Sequence, residues 1–364
     1  DAGLERADGV ITSGGLGPTI DDLTKEAVCA VLNCDTETNL PALRAMEQLF
    51  ASSGRPMREN NRKQAELPRN AIPLPNPNGT APGFIAMRAD RKFIACMPGV
   101  PREMKPMLKN ELVPWLRSHF KLTQSIYTTV LHTVNIAESE IDHRIDDLFR
   151  TLENPKIAVL AHDYRCDVKV MAKAASPGDA RSLSEPVERE IEQRLLGHIY
   201  GRDDQTLPGA IHELLQGRGQ TLAVAESITA GAIGAALTSV PGSSKSFLGG
   251  VIAYDNAVKR DLTGVSEKTL AEYGAVSRET VMEMARGVRV GLGSDIALAS
   301  TGIAGPTGAS AEKPVGLVWM GLSSASSDDA RMLQLRGDRA AITARAVTSA
   351  LGLLWKALAG PEHL

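Results

Sequence analysis

Short apolar runs that end in small-residue turns and lead into helical patterns recur along this chain. The first run, GVIT at 9–12, reaches the turn SGGLGPT before a helical pattern begins. That order predicts a strand, a loop and a helix of α/β type. Two Pro/Gly-rich turns, at 74–83 and 97–101, bracket further strand-like runs. We therefore predict an α/β domain over residues 1–120.

The pattern changes between residues 121 and 202. The β-rich run SIYTTVLHTV precedes the charged helical pattern AESEIDHRIDDLF, two more strand-like runs and the helical pattern SEPVEREIEQRLL. This order predicts a small α+β domain. It holds no evident polar constellation, so we expect a spacing or subunit-contact role for it.

The third segment, 203–364, has its own α/β rhythm. Strand-like runs such as TLAVAES, FLGGVIAY and DIALAS alternate with helical patterns such as AGAIGAALTSV and SRETVMEMARGVRVGL. Several strands run directly into small-residue turns, which is typical of α/β folds whose sites lie beyond the carboxyl ends of the strands. The overall fold class is therefore predicted to be multi-domain α/β.

Composition narrows the class of protein. A chain of 364 residues exceeds what one hydrophobic core usually serves, and 43% hydrophobic with 23% charged residues indicates globular domains. The net charge of -3 gives no basic footprint for nucleic acid. No apolar run is long enough to cross a bilayer and the chain starts without a signal-like segment, so we expect a cytoplasmic protein without membrane contact.

Cysteine and histidine usage indicates free thiols and no histidine-based metal site. The four cysteines show no CxxC pairing, and the seven histidines form no HExxH or comparable cluster.

The first glycine-rich turn has two interpretations. Backbone N–H groups there could line a phosphate site at a helix N-terminus, or the turn could be a simple connection. Asp21 and Asp22 could hold a divalent metal with substrate phosphates, or could simply favour the first turn of the helix. The residues of this candidate phosphate loop are Gly14, Gly15, Gly17 and Thr19.

Four stretches of the third segment stand out as candidate chemistry. They are AESITAG at 225–231, PGSSKSF at 241–247, YDNAVK at 254–259 and STGIAGPTG at 300–308. Each alone can be a helix cap or a turn. Convergence of these stretches on one sheet edge would favour a site instead.

Eight stretches resemble, in order, the motifs of the competence/damage-inducible CinA family: SGGLGPTIDDLT, GTAPG, MPGVPREM, AESITAG, PGSSKSFLGG, AYDNAVK, YGAVS and STGIAGPTGASAEKPVGLV. The resemblance spans essentially the whole chain. It implies an N-terminal molybdopterin-binding-like domain, a small linking domain and a C-terminal amidohydrolase domain. Members similar to this chain begin further upstream, with a strand, a helix and a strand, so the first domain is expected to be incomplete at its start.

The activity implied by the resemblance is hydrolysis of nicotinamide mononucleotide to nicotinic acid mononucleotide and ammonia, without a cofactor. A metal-dependent ADP-ribose pyrophosphatase activity is associated with the N-terminal domain in two-domain members. The resemblance also implies a homo-oligomer, expected here as a dimer. The alternative function is a non-enzymatic scaffold that binds a competence or repair partner.

Site residues follow from the resemblance position by position. Many members have a second arginine four positions after Arg339, where this chain has Thr343, and a role for Arg345 stays open. The implied nucleophile is Ser244 and the implied base Lys259, with substrate contacts at Tyr254, Thr301, Gly302 and Arg339 and a nucleotide-binding turn at Ser227 and Thr229.

The chemistry of a serine and a lysine is consistent with amide hydrolysis. A serine hydroxyl is a weak nucleophile until a base takes its proton, and a lysine can do so when its ammonium is destabilised by burial or a helix N-terminus. Backbone N–H groups near Gly242 to Ser244 are candidates for holding the oxyanion. One straight strand over 247–254 would keep Ser244 and Lys259 far apart, so we expect either a fold-back with the strand starting near Gly250, or a partner subunit.

Overall fold

The computed structural model describes residues 1–162 and 165–360, and the chain divides into two compact units, Asp1–Thr123 and Gln124–Leu364. The multi-domain α/β prediction is confirmed. The predicted boundaries at 120/121 and 202/203 are not tested by this division, because the second unit contains both later segments.

The first unit is built on a mixed sheet with the strand order β1-β6-β5-β4, in which β1 and β6 are parallel and the other pairs are antiparallel. A short antiparallel pair, β2-β3, stands apart. The elements are α1 (Ala2–Arg6), β1 (Gly9–Ser13), α2 (Thr24–Leu32), β2 (Thr36–Thr38), α3 (Leu40–Ser52), α4 (Glu59–Arg62), β3 (Glu66–Pro68), β4 (Ile72–Leu74), β5 (Gly83–Met87), β6 (Phe93–Met97), α5 (Pro101–Met107) and α6 (Val113–His119), with a π turn at Leu108–Leu112.

The second unit starts with an antiparallel sheet in the order β10-β7-β9-β8. Two helices cover one face of it, and buried Leu131, Ile141, Val168 and Ile191 form its core. The elements are β7 (Ser125–Thr133), α7 (Glu138–Thr151), β8 (Lys156–His162), β9 (Arg165–Ala174), α8 (Pro177–Arg194) and β10 (Ile199–Arg202).

The rest of the second unit is a five-stranded sheet in the order β12-β11-β13-β14-β15, with helices on both faces. The strands β12, β11 and β13 are parallel, whereas β14 and β15 are antiparallel. The elements are α9 (Leu207–Gly217), β11 (Leu222–Glu226), α10 (Ala232–Thr238), β12 (Phe247–Ile252), α11 (Asn256–Thr263), α12 (Glu267–Tyr273), α13 (Arg278–Leu292), β13 (Ile296–Gly302), β14 (Leu317–Ser324), β15 (Asp328–Gln334) and α14 (Arg339–Ala359).

Small residues let α13 approach this sheet closely. Alternating alanines of the central strands, among them Ala223, Ala225 and Ala299, are fully buried against it. A Cβ on Gly287 of α13 would lie 1.8 Å from the carbonyl oxygen of Thr263, at the end of α11. The position of α11, which carries Lys259, therefore depends on a glycine at 287.

Candidate functional site

Three parallel strands end around one pocket of about 290 Å³ in the second unit. Ser227 follows β11 directly, Tyr254 follows β12, and Thr301 is the next-to-last residue of β13. Because parallel strands end at the same sheet edge, three of the four candidate stretches converge, as in other open α/β sheets. The lining residues are Ser227, Ile228, Tyr254, Asn256, Lys259, Ala275, Val276, Thr301, Gly302, Ile303, Ala304, Gly305, Thr307, Gly308 and Arg339.

Lys259 is the buried cation of the pocket, with only 2% of its surface exposed. It lies in the first turns of α11, which Asp255 caps by accepting the N–H of Ala257 at 2.8 Å. Its ammonium donates to the carbonyl oxygen of Tyr254 at 3.0 Å. Burial lowers the pKa of Lys259 from its ordinary value, and the Asp255 carboxylate opposes that shift. A lysine in this setting is suited to accept a proton.

Glu226 holds the turn that carries Ser227. Its carboxylate, 1% exposed, accepts the backbone N–H groups of Gly231, Ile233 and Gly234 at 2.8–3.0 Å. Those donors belong to the start of α10, whose positive end favours a carboxylate. Sequence reasoning missed Glu226, although a glutamate that ends a buried strand inside AESITAG was a usable signal.

Two backbone donors lie next to Ser227 along the chain. Within 1–162 and 165–360, the N–H groups of Ile228 and Thr229 donate to no protein acceptor. The Thr229 hydroxyl does not line the pocket; it pairs with the Ser300 hydroxyl at 2.7 Å and ties the turn to β13. The turn therefore has two backbone N–H groups next to Ser227 that make no hydrogen bond within the described protein.

Arg339 brings a second cation to the pocket from the first position of α14. Asp338 caps that helix, and the Arg339 guanidinium donates to the carbonyl oxygen of Gly305 and to the hydroxyl of Tyr254, each at 2.9 Å. A guanidinium at a helix N-terminus suits a phosphate group. Arg345 lies further along α14 and is not among the pocket-lining residues.

Thr301 and Gly302, which the resemblance implied as substrate contacts, both line the pocket. The Thr301 hydroxyl is buried and donates to the carbonyl oxygen of Ala275 at 2.7 Å, which connects β13 to the loop before α13. Its hydroxyl oxygen can still accept a hydrogen bond from a ligand.

Ser244 lies at the opposite end of β12 from Lys259. It is exposed in a short 3-10 turn, Ser243–Lys245, and does not line the pocket. The predicted fold-back is wrong, because β12 starts at Phe247 and not near Gly250. Six strand residues span about 20 Å at ~3.3 Å each. Within one chain the structure therefore brings Ser227, and not Ser244, to the pocket of Lys259.

The glycine-rich turn of the first unit borders its own pocket, of about 590 Å³. Gly14, Gly15, Gly17 and Asp22 line it, together with residues of the two Pro/Gly-rich turns. Thr24 starts α2 and its hydroxyl donates to the carbonyl oxygen of Gly14 at 2.8 Å. The predicted phosphate loop thus faces a cavity.

The predicted metal and phosphate residues at 19–22 form a turn, which a hydrogen bond between Thr19 and Asp22 closes. The Asp22 carboxylate accepts the N–H of Thr19 at 3.0 Å and its hydroxyl at 2.5 Å, which holds the pKa of Asp22 below its ordinary value. Thr19 and Asp21 are exposed and do not line the pocket. In the part of the chain that the structure describes, no group of three or more His, Cys, Asp or Glu side chains could hold a metal ion. The divalent metal stays a prediction.

Fold and pocket together define a multi-domain α/β protein with a pocket at the carboxyl ends of parallel strands. Three family models match it: "Probable molybdopterin binding domain" over 1–118, "Damage-inducible protein CinA KH domain" over 128–201 and "CinA C-terminal domain" over 204–358. The chain belongs to the CinA family.

Similar proteins match this chain over most of their own length. A competence-damage inducible protein of Moorella thermoacetica is 42% identical over 98% of this chain and 86% of its own. A CinA-like protein of Gloeothece citriformis is 41% identical over the same shares. The solved competence/damage inducible protein CihA of Agrobacterium tumefaciens is 38% identical, over 42% of this chain and 94% of its own, with a TM-score of 0.41.

None of the described helices is both long enough and apolar enough to span a bilayer.

Proposed function

We propose that the second unit hydrolyses the amide of nicotinamide mononucleotide to nicotinic acid mononucleotide and ammonia, with Ser227 as nucleophile and Lys259 as base. The observation that carries the proposal is their shared pocket: a serine with unused backbone donors beside it, and a buried lysine whose pKa is lowered. The substrate class comes from the family resemblance, and the pocket's chemistry is compatible with it.

The reaction proceeds by acyl transfer. The neutral amine of Lys259 takes the Ser227 hydroxyl proton while the serine oxygen attacks the amide carbon. The N–H group of Ile228, which lines the pocket, stabilises the oxyanion, a contribution of about 3–4 kcal/mol per donor in comparable sites. The C–N bond then breaks, Lys259 returns the proton to the leaving nitrogen, and ammonia departs. Water, deprotonated by Lys259, hydrolyses the ester and releases the carboxylate product.

The cationic end of the pocket, where Arg339 lies, orients the substrate. Arg339 at the start of α14 binds the phosphate of the nucleotide, and Tyr254, already hydrogen-bonded to Arg339, closes that side. Thr301 and Gly302 contact the remainder of the ligand. No cofactor enters these steps.

The test compares three alanine variants by ammonia release from nicotinamide mononucleotide. Ser227→Ala and Lys259→Ala should each lower kcat by about 10³-fold or more, because each removes one half of a proton-transfer pair. Ser244→Ala is the matched control and should retain most of the activity. Loss in Ser244→Ala with retention in Ser227→Ala would return the nucleophile to Ser244. No ammonia release by the unmodified chain would favour the scaffold function.

A second activity, ADP-ribose hydrolysis, is proposed for the first unit because its glycine-rich turn faces a cavity of about 590 Å³. A divalent metal there would bind through Asp22 together with substrate phosphate oxygens. A chelator should abolish this activity and spare ammonia release. Equal sensitivity of the two reactions would contradict the assignment to separate sites.

A further inference from the structure

The turn between β11 and α10, residues 227–231, carries the proposed nucleophile and is closed at both ends. At its start, the N–H of Ser227 donates to the carbonyl oxygen of Ser300 on β13 at 2.9 Å. At its end, the carboxylate of Glu226 accepts the N–H of Gly231 at 2.9 Å. The residue before the turn therefore binds the last residue of the turn with its own side chain.

Glu226 is itself fixed by the strands on either side of it. It is level with Ser300 of β13 and Ile252 of β12, and its carbonyl oxygen accepts the N–H of Ala253 at 2.7 Å. Its side chain is buried. A carboxylate on such an anchored backbone holds the neighbouring turn in place, because Glu226 is not free to follow that turn if it moves.

The closed turn contains a strained residue. Ala230 has a φ of 49°, in the left-handed region, and Gly231 after it has a φ of 96°. A Cβ atom disfavours this conformation, whereas glycine adopts it readily. Strained residues persist only where the surrounding structure holds them, and they cluster at active sites. The Glu226 carboxylate binds the peptide N–H directly after Ala230, so it is the group in position to hold this residue.

The turn also has the layout that acyl-transfer chemistry uses. A serine on a sharp turn between a strand and a helix presents its hydroxyl at the sheet edge, and the N–H of the next residue is an oxyanion donor. Here the next residue is Ile228, which lines the pocket. Its N–H donates to no protein acceptor within 1–162 and 165–360.

We propose that Glu226 is a positioning residue, whose carboxylate holds the strained turn closed so that the Ser227 hydroxyl and the Ile228 N–H act on the same carbonyl group. The catalytic part of this inference rests on the proposed function, whereas the closing of the turn does not. Glu226 is not among the residues that line the pocket, so it acts through the turn and not on the substrate.

Glu226→Gln tests the catalytic part by ammonia release. The amide keeps the size of the side chain but turns a donor toward N–H groups that need an acceptor. We expect kcat to fall by about a hundredfold, the loss that a displacement of about 1 Å causes, with KM changed by less than about threefold. The acid limb of kcat/KM should stay in place, because burial and Asp255 shift the pKa of Lys259 and Glu226 does not.

Glu188→Gln is the matched control. Glu188 is a second buried glutamate, 2% exposed, which accepts hydrogen bonds from Ser184 and Arg202 in the antiparallel sheet region. Its loss should lower stability and leave kcat per folded molecule near that of the wild type. The same result in Glu226→Gln, or a raised KM with unchanged kcat, would overturn the positioning role.

Ala230→Gly tests the strain. Glycine adopts the left-handed region without a steric cost, so the turn needs less holding. Added to Glu226→Gln, it should restore kcat by about tenfold, since the two residues are coupled through one turn. Ala235→Gly, at an exposed position of α10, is the control and should restore nothing. Equal effects of the two glycines would overturn the link between Glu226 and the strained residue.

Amide hydrogen exchange tests the closing of the turn without substrate. The N–H groups of Gly231, Ile233 and Gly234 are bonded to the Glu226 carboxylate. Their exchange should be faster by about tenfold or more in Glu226→Gln and unchanged in Glu188→Gln. Unchanged exchange in Glu226→Gln would overturn the closing of the turn. Faster exchange together with no ammonia release by the wild type would count against the proposed function and leave the closed turn in place.

Discussion

At the scale of single residues, Lys259 sets the pH dependence of the proposed reaction. The base must be neutral, so kcat/KM should rise with pH through the pKa of Lys259. Burial lowers that pKa and Asp255 raises it. Asp255→Asn keeps a capping side chain and removes the charge, so the acid limb of kcat/KM should move to lower pH.

Asp261→Asn is the control for that measurement. Asp261 lies on the same helix but pairs with Arg260 and does not affect the pKa of Lys259. Its pH profile should match the wild type. An acid limb that moves to higher pH in Asp255→Asn would contradict the assignment of Lys259 as base.

Lys259 should also cost stability. A lysine whose pKa is lower in the folded state than in the unfolded state reduces the free energy of unfolding. The reduction is complete at pH values below the folded-state pKa, and it disappears as the pH rises to the unfolded-state pKa. Lys259→Met should therefore raise the free energy of unfolding by about 1–2 kcal/mol at neutral pH, with a smaller gain near pH 10. Urea unfolding of the two proteins at both pH values tests this, with exposed Lys245→Met as a control that should change little.

Six of the site residues that the resemblance implied for the third segment line the pocket, and two, Ser244 and Thr229, do not. Ser227, Tyr254 and Thr301 follow or end strands, and their convergence follows from parallel pairing, whereas Lys259 reaches the pocket from α11, the helix after β12. The fold-back that would have brought Ser244 to Lys259 within one chain was wrong, because the glycines inside FLGGVI favoured a strand that starts near Gly250, whereas β12 starts at Phe247. Local pattern cannot show that β11 holds that run extended from Phe247 onward. The alternative, in which a partner subunit brings Ser244 to Lys259, stays a prediction.

At the scale of elements, the contact between α11 and α13 positions the base. Gly287→Ala places a Cβ against the backbone of Thr263, which cannot move without shifting α11. We expect a loss of about 2 kcal/mol or more in unfolding free energy from overpacking, and lower kcat. Gly291→Ala on the same helix meets nothing within 4 Å and should be stabilising by up to ~1 kcal/mol. Equal effects of the two changes would show that the close approach is unimportant.

Elements with strong periodicity were predicted well, and polar or short elements were missed. β15, with the sequence DDARMLQ, is an edge strand that has charges at Asp328, Asp329 and Arg331 and no fully buried residue, so it lacks a clear apolar signal. α12 has seven residues, too few for a clear helical period. α2 starts at Thr24 and not at the acidic pair before it, because Asp22 instead closes a turn with Thr19.

At the scale of the whole molecule, one hydrophobic core joins the second and third sequence segments. Val134 and Tyr200 belong to the same buried cluster as Leu351 and Trp355 of α14, and the Tyr200 and Trp355 rings lie 6.5 Å apart. A Cβ on Gly352 would lie 2.6 Å from the Val134 side chain. The predicted boundary at 202/203 therefore separates two sheets, although it crosses a continuous core.

This shared core predicts how the chain can be divided. A fragment of residues 124–364 follows the division between the compact units and should keep ammonia release near that of the full chain. A fragment of residues 203–364 uncovers Leu351 and Trp355, so its thermal unfolding midpoint should fall by about 5 °C or more, in proportion to the lost apolar burial.

The substitution Trp355→Ala in both fragments provides the matched comparison. It should lower the free energy of unfolding of the longer fragment by about 3 kcal/mol or more, because it leaves a cavity in the joint core, and that of the shorter fragment by much less. Equal costs in the two fragments would mean that Trp355 packs only within its own segment, and that the two sheets fold independently.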